Sequence, residues 1–145
     1  GEILVDFRLP PPLPSTGSLY IKHSPRGAMD IATVGAASVV TLQDRESVCR
    51  EVRIALGAVG PTPVRAYAAE DLLRGQAITP ELIALAAREA ENRASPIDDI
   101  RGTAVHRKTM VGVLTQRTLE RALAMARNEP MTFEVQRRLA VQAAF

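Results

Sequence analysis

The residues best placed to do chemistry lie in the run Tyr20-Ile21-Lys22-His23-Ser24-Pro25-Arg26-Gly27-Ala28-Met29-Asp30-Ile31-Ala32. A β-like segment delivers Lys22 where a strand turns over. Arg26 follows four residues later, and Asp30-Ile31-Ala32 opens the next apolar run. Two of the 18 basic side chains are lysines and the other 16 are arginines, so a lysine at this turn is an unusual choice. Taken alone, Lys22 reads as a solvated lysine in a hairpin. Its setting admits a second reading, a cation presented at a site.

The other candidates carry less. Asp98 and Asp99 are adjacent, and adjacent side chains on a loop point in different directions, whereas a general acid–base pair needs carboxyls that converge. Helix capping or an arginine partner is the simpler role, and Asp99 with Arg101 makes a plausible local ion pair. His23 and His106, the two histidines, lie far apart in sequence, and no nucleophile elbow accompanies them. Cys49 is the single cysteine. That excludes an intrachain disulfide and a cysteine cluster for zinc or iron–sulfur, and makes a reducing compartment the default. Its place in an apolar-alternating run suits a buried structural thiol. Gly57 and Gly60 form a GxxG, but Pro61 and Pro63 delete two N–H donors that a phosphate cradle would use. No cluster of metal ligands stands out. On its residues alone the chain is not a self-contained enzyme.

The elements that must position these residues follow from periodicity. Glu2–Leu9 is β-rich and short, and Pro10-Pro11-Pro12-Leu13-Pro14 makes a stiff extended connector after it. Ser18–His23 is a second strand, the small-residue run 30–42 a third, and Val48–Gly57 a fourth, with a polar turn at 43–47. After Pro63 the period changes from two to about 3.6. Val64–Arg74 reads as a short helix ended by Gly75. Thr79-Pro80 is an N-cap with proline at the first helical position, opening a helix through Arg93 whose face is Ile83, Ala86, Ala87, Ala90 and Ala94. A loop at 95–103 leads to a long helix over about 104–127. One stripe of it is Val111, Leu114, Thr118, Ala122 and Met125, and Val113, Leu119 and Leu123 suggest a second contact face. A short amphipathic tail from Phe133 is a candidate further helix. Strands first and helices afterwards mean α+β: a mainly antiparallel sheet of about four strands followed by three helices on one face. Residues 1–127 then form the domain and 128–145 a C-terminal tail.

Bulk composition narrows the classes. At 145 residues the chain is long enough to bury a core, and with 3% aromatic residues and no tryptophan that core must be Ala, Val, Leu and Ile. A net charge of +2, with both signs interspersed and no aromatic interleaving, argues against nucleic acid as the main partner. No apolar run reaches membrane-spanning length, there is no signal-peptide pattern, and a cytoplasmic location is the expectation. The chain opens Gly1-Glu2-Ile3 without Met and already in a strand-like pattern, as expected of a piece cut from a longer polypeptide or a processed product.

Four motifs in order then become recognisable: the opening strand Glu2-Ile3-Leu4; Lys22-x3-Arg26-x3-Asp30-Ile31-Ala32; Arg53-Ile54-Ala55-Leu56-Gly57-Ala58-Val59-Gly60-Pro61-Thr62-Pro63-Val64-Arg65-Ala66; and Pro96-Ile97-Asp98-Asp99-Ile100-Arg101-Gly102-Thr103-Ala104, with Arg107 beyond. With them the chain resembles, from Glu2 to about Leu123, the C-terminal domain of the FAD-binding medium subunit of molybdenum hydroxylases, the group of xanthine and carbon monoxide dehydrogenases. The resemblance implies antiparallel strands followed by three helices. It implies a lid over FAD, most of which is held by a preceding FAD-binding domain. It also implies partner subunits carrying a molybdenum cofactor and 2Fe–2S clusters, and a chain inactive alone. By resemblance Leu4 matches a position whose backbone contacts FAD, Lys22 a lysine beside the isoalloxazine, and Arg26 a basic residue in the same loop. Many relatives carry two arginines in that loop, where this chain has Pro25 before Arg26 and Gly27 after it. The readings from other classes are a stand-alone protein-interaction module without flavin and an arginine-rich nucleic-acid binder.

Overall fold

The computed structural model describes residues 1–26, 29–43 and 48–129. Most of the polar turn at 43–47 and all of the tail helix expected from Phe133 lie outside them. Seven elements follow in order: β1 (Thr16–His23), β2 (Val34–Leu42), β3 (Cys49–Gly57), β4 (Val64–Arg65), α1 (Tyr67–Leu73), α2 (Pro80–Arg93) and α3 (Ala104–Ala126). The strands form one antiparallel sheet in the order β1-β2-β3-β4. All three helices follow it in the chain, as the change of period implied.

The period-two pattern decides the two faces of the sheet. Val34, Ala36, Val40 and Leu42 of β2, with Val52, Ile54 and Leu56 of β3, are buried toward the helices. Their neighbours Gly35, Ala37, Ala55 and Gly57 form rows on the other face. Lys22 pairs with Gly35 and Gly35 with Gly57; Tyr20 pairs with Ala37, Ala37 with Ala55, and Ala55 with Arg65. This open face therefore has a floor of small residues with Lys22 at its edge.

Helix α3 packs on β1 and β2, α2 on α3 and α1, and α1 on β3. Gly17 sets how close α3 comes: a Cβ there would lie 2.0 Å from the Ala122 carbonyl oxygen and 2.7 Å from Ala126 N. Ser38 Oγ and Thr118 Oγ1, both buried, share a 2.7 Å hydrogen bond that satisfies two polar groups between β2 and α3. The Thr79 hydroxyl accepts from Leu82 N and the Thr103 hydroxyl from His106 N, so two helix starts are capped as their residue types require. The face Ile83, Ala86, Ala87, Ala90 and Ala94 is buried as read, and the core is Ala, Val, Leu and Ile with Cys49.

The structure corrects four expectations. Glu2–Leu9 forms no strand; Ile3, Leu4, Val5, Phe7 and Leu9 are all exposed. Alternation tells which side of a strand would be buried, not whether an edge is available for it to pair with, and the prolines that follow have no N–H to extend a ladder. The third strand begins at Val34 rather than Asp30, because the Asp30 carboxylate takes the Arg26 and Ile31 amides into a turn. Val64 and Arg65 belong to β4, not to the first helix: they pair with Leu56 and Ala55, and the Ala66 amide donates to Ile54 O. Met125 is 40% exposed, off the buried stripe of α3.

Candidate functional site

The Lys22–Asp30 loop leaves the sheet at the end of β1 and is closed by Thr33 N donating to His23 O at 2.8 Å. Asp30 organises it. Its Oδ2 accepts from Arg26 N at 2.9 Å and its Oδ1 from Ile31 N at 2.9 Å. The Arg26 guanidinium lies 3.6 Å from Oδ1. The Asp30 carbonyl accepts from Lys22 Nζ at 3.0 Å. Desolvation raises the Asp30 pKa, but the Arg26 and Ile31 amides and the Arg26 guanidinium outweigh it and hold the carboxyl below its ordinary range. Ser24 Oγ donates to Arg26 O at 2.7 Å, fixing the backbone on the other side of Pro25.

A second loop, 95–103, meets the first. Asp98 accepts from Ala104 N, capping α3, and Asp99 Oδ1 accepts from Arg101 N at 2.7 Å. The Asp99 carboxylate pairs with Arg107 and lies 3.4 Å from Arg101 Nε. Its pKa is lowered by the Arg107 hydrogen bond first and the Arg101 amide second. So the two aspartates do point apart, one to a helix start and one to arginines, and the Asp99–Arg101 pair is present. His23, at the end of β1, and His106, in the first turn of α3, have ring centroids 6.1 Å apart. Burial first, and the nearby His106 second, hold the His23 pKa below its usual value.

Between the loops lies an open cleft of about 620 Å³ lined by Pro25, Arg26, Asp30, Ile31, Ile100 and Arg101. It offers cationic edges and two exposed isoleucines. Lys22 stands beside it on the open sheet face, one of its three N–H donors spent on Asp30 O. Tyr20 borders the same face, its hydroxyl end 2.8 Å from where a Gly35 Cβ would sit. Such a site can hold a flat ligand that is apolar in its body and polar or anionic at its edge. It has no nucleophile–base pair, and among the described residues no three His, Cys, Asp or Glu side chains gather to hold a metal.

Of the residues implied by resemblance, Lys22 and Arg26 come together through Asp30. Leu4 is exposed on a lead-in that forms no strand, and it does not line their cleft. Sequence reasoning missed Asp30 as the organiser, and Ile100 and Arg101 as the opposite wall. Asp30 had a signal, its spacing four after Arg26; Ile100 and Arg101 had none until the fold brought the loops together. No helix among the described residues is long and apolar enough to cross a membrane.

Sheet and helix order define an α+β domain, four antiparallel strands followed by three helices, with two loops meeting at one cleft. The chain belongs to the CO dehydrogenase flavoprotein C-terminal domain family, whose model matches residues 19–122. The carbon monoxide dehydrogenase medium chain of Afipia carboxidovorans is 37% identical over 128 residues, covering 88% of this chain and 43% of the relative. A xanthine dehydrogenase FAD-binding subunit of Escherichia coli O157:H7 is 29% identical over 126 residues, covering 86% and 42%. Among solved structures, a carbon monoxide dehydrogenase from Hydrogenophaga pseudoflava lacking the Mo-pyranopterin moiety superposes with a TM-score of 0.76 at 36% identity, covering 80% of this chain and 39% of that one. The chain thus spans about two-fifths of the length of the relatives it matches.

Proposed function

We propose that this chain is the C-terminal part of the FAD-containing electron-transfer subunit of a molybdenum hydroxylase, closing over the flavin that exchanges electrons between iron–sulfur clusters and an external acceptor. The observation that carries the reading is the clamp on Asp30, which holds Lys22 and Arg26 as two cations beside an open cleft in a member of this family. Bound FAD supplies the storage and passage of electrons. The residues present fit it: Lys22 and Arg26 offer donors to the polar edge of a flat heterocycle, and Ile31 and Ile100 offer apolar contact; a contact from the Leu4 backbone rests on the family resemblance. Residues 1–127 are the lid and its lead-in, and 128–145 a tail. A preceding domain of the complete subunit holds most of the FAD, and separate cytoplasmic subunits hold the molybdenum cofactor and 2Fe–2S clusters. The chain alone is inactive.

Lys22 has a definite electrostatic task here. A fixed cation favours the more negatively charged, reduced form of a neighbouring redox group. One unit charge at about 4 Å with an effective dielectric near 20 is worth about 4 kcal/mol. For a two-electron couple that is roughly 90 mV, an upper bound because solvent screens an exposed ammonium. The test is the flavin reduction potential of the complete subunit. Lys22→Ala should lower it by tens of millivolts and Lys22→Arg should restore most of the loss. An unchanged potential in Lys22→Ala with full flavin content removes Lys22 from the site.

A further inference from the structure

The lead-in before β1 carries a pattern that the described fold does not use. Ile3, Val5, Phe7 and Leu9 take every second position of Glu2–Leu9, and each is 80–89% exposed. The alternate positions are Glu2, Leu4, Asp6 and Arg8. Arg8 Nε lies 3.7 Å from Asp6 Oδ2, two residues away, as side chains on one side of an extended backbone do. One side of the segment is therefore apolar throughout and the other mostly charged. That is the pattern of a strand with one face in a core and one face in water. A row of four large apolar side chains left in water marks a surface that something covers.

The sheet of this domain does not take the segment up. The outer edge of β1 is the next one along the chain, since β1 stands at the end of the strand order. Pro10-Pro11-Pro12 intervenes, fixing φ and holding the connector extended, so Leu9 does not turn back along β1. Just beyond the prolines Ser15 O already accepts from Leu42 N at 2.9 Å, so the paired sheet starts where the connector ends. The family model agrees with that boundary: it describes a C-terminal domain and begins at residue 19, after the lead-in. The matched relatives hold more chain outside the match than within it, 43% and 42% of their lengths being covered. We infer that Glu2–Leu9 is a strand of the polypeptide that precedes this domain in the complete subunit. Its Ile3, Val5, Phe7 and Leu9 face completes a hydrophobic core there, and its backbone pairs with a sheet edge there. Pro10–Pro14 is then the stiff joint between two bodies, about 15 Å long at about 3.1 Å per residue. The inference rests on the proposed function only in making this chain the C-terminal part of a longer subunit; the position of the flavin does not enter.

The experiment uses the complete subunit. Hydrogen–deuterium exchange at residues 3–9 should be about a thousandfold or more slower than in an unstructured peptide, at every protein concentration and with FAD stripped as well as bound. Thermal unfolding of variants then reads the two faces. Phe7→Ala should lower the midpoint by about 5 °C or more, and Val5→Thr, which keeps the shape and adds a hydroxyl, by about 2 °C or more. Arg8→Gln, on the charged face, should change it by under about 1 °C. Exchange at 3–9 as fast as in an unstructured peptide overturns the inference, and so do midpoints indifferent to Phe7→Ala and Val5→Thr. Protection that disappears on dilution, together with a dimer in sedimentation, overturns it too, because the strand would then be taken up by the β1 edge of a second copy. Protection at 3–9 in a subunit that binds no FAD would refute the flavin reading and leave this one standing. Free exchange there in a flavin-loaded subunit would do the reverse.

Discussion

Replacing Glu70 tests how this small sheet holds its first helix. Helix α1 has seven residues, and no side chain caps its start. Glu70 lies within it with its side chain 1% exposed. Its Oε1 accepts from Ile54 N and Arg65 Nε, each at 2.8 Å, and its Oε2 from Arg65 Nη2 at 2.8 Å. Arg74 Nη2 is 3.9 Å from Oε2. One carboxylate thus joins α1 to both β3 and β4. Glu70→Ala strands the Ile54 amide and the Arg65 guanidinium. Breaking a buried pair costs about 3–5 kcal/mol. Arg65 is 36% exposed, so water recovers part of the loss and the low end of that range applies. Glu70→Gln retains an oxygen for the Ile54 amide but turns an NH₂ toward Arg65 Nη2, and losing one charge-assisted bond costs about 1.5–3 kcal/mol. Arg65→Ala combined with Glu70→Ala should be non-additive by about 1–3 kcal/mol. Urea unfolding of the single and double variants gives these values. A Glu70→Ala loss below about 1 kcal/mol, or additivity within about 0.5 kcal/mol, would refute the reasoning.

Two glycines of β1 and β2 should differ sharply in how much they tolerate a methyl group. Gly17→Ala drives a methyl into the α3 backbone, 2.0 Å from Ala122 O, and should cost about 3 kcal/mol or more in the same assay. Gly35→Ala meets the Tyr20 hydroxyl end, on a half-exposed ring free to swing away, and should cost under about 1 kcal/mol. His23 titrates lower in the folded chain, so between its folded pKa and the unfolded value of about 6.5 the unfolded chain binds more protons. Stability should therefore fall as pH drops below about 6.5, and His23→Gln should flatten that slope in unfolding measured from pH 7.5 to 5. Burial pushes the Cys49 thiol up to about 11, so iodoacetamide should label it at neutral pH only as fast as the chain opens, and a rapid labelling rate in native buffer would contradict its placement.

Long, strongly periodic segments were legible in the sequence because their burial follows from local pattern: Ile83 to Ala94 faces the core as its spacing requires, and Thr79 caps its helix. What depended on distant partners was not. Glu2–Leu9 has every local property of a strand and finds no edge to pair with among the described residues. Val64 and Arg65 follow a proline and precede a helix, and only the β3 ladder makes them a strand. The site divides the same way. Lys22 at the end of β1, and Arg26 and Asp30 in the loop after it, are close in sequence, so their spacing announced them, although Asp30's role as the hub emerged only from its two carboxylate oxygens and its carbonyl. Ile100 and Arg101 reach the cleft through an approach of two loops about seventy residues apart, which no local pattern encodes.

The central claim, that the loop after β1 closes over flavin, is tested most directly by hydrogen–deuterium exchange on the complete subunit, FAD-loaded against FAD-stripped. The account predicts slower exchange at residues 20–32 and 98–101 when FAD is bound, and little change along β2 and α2. Equal exchange of those two loops in both states, with FAD bound stoichiometrically, would place the flavin elsewhere and contradict it.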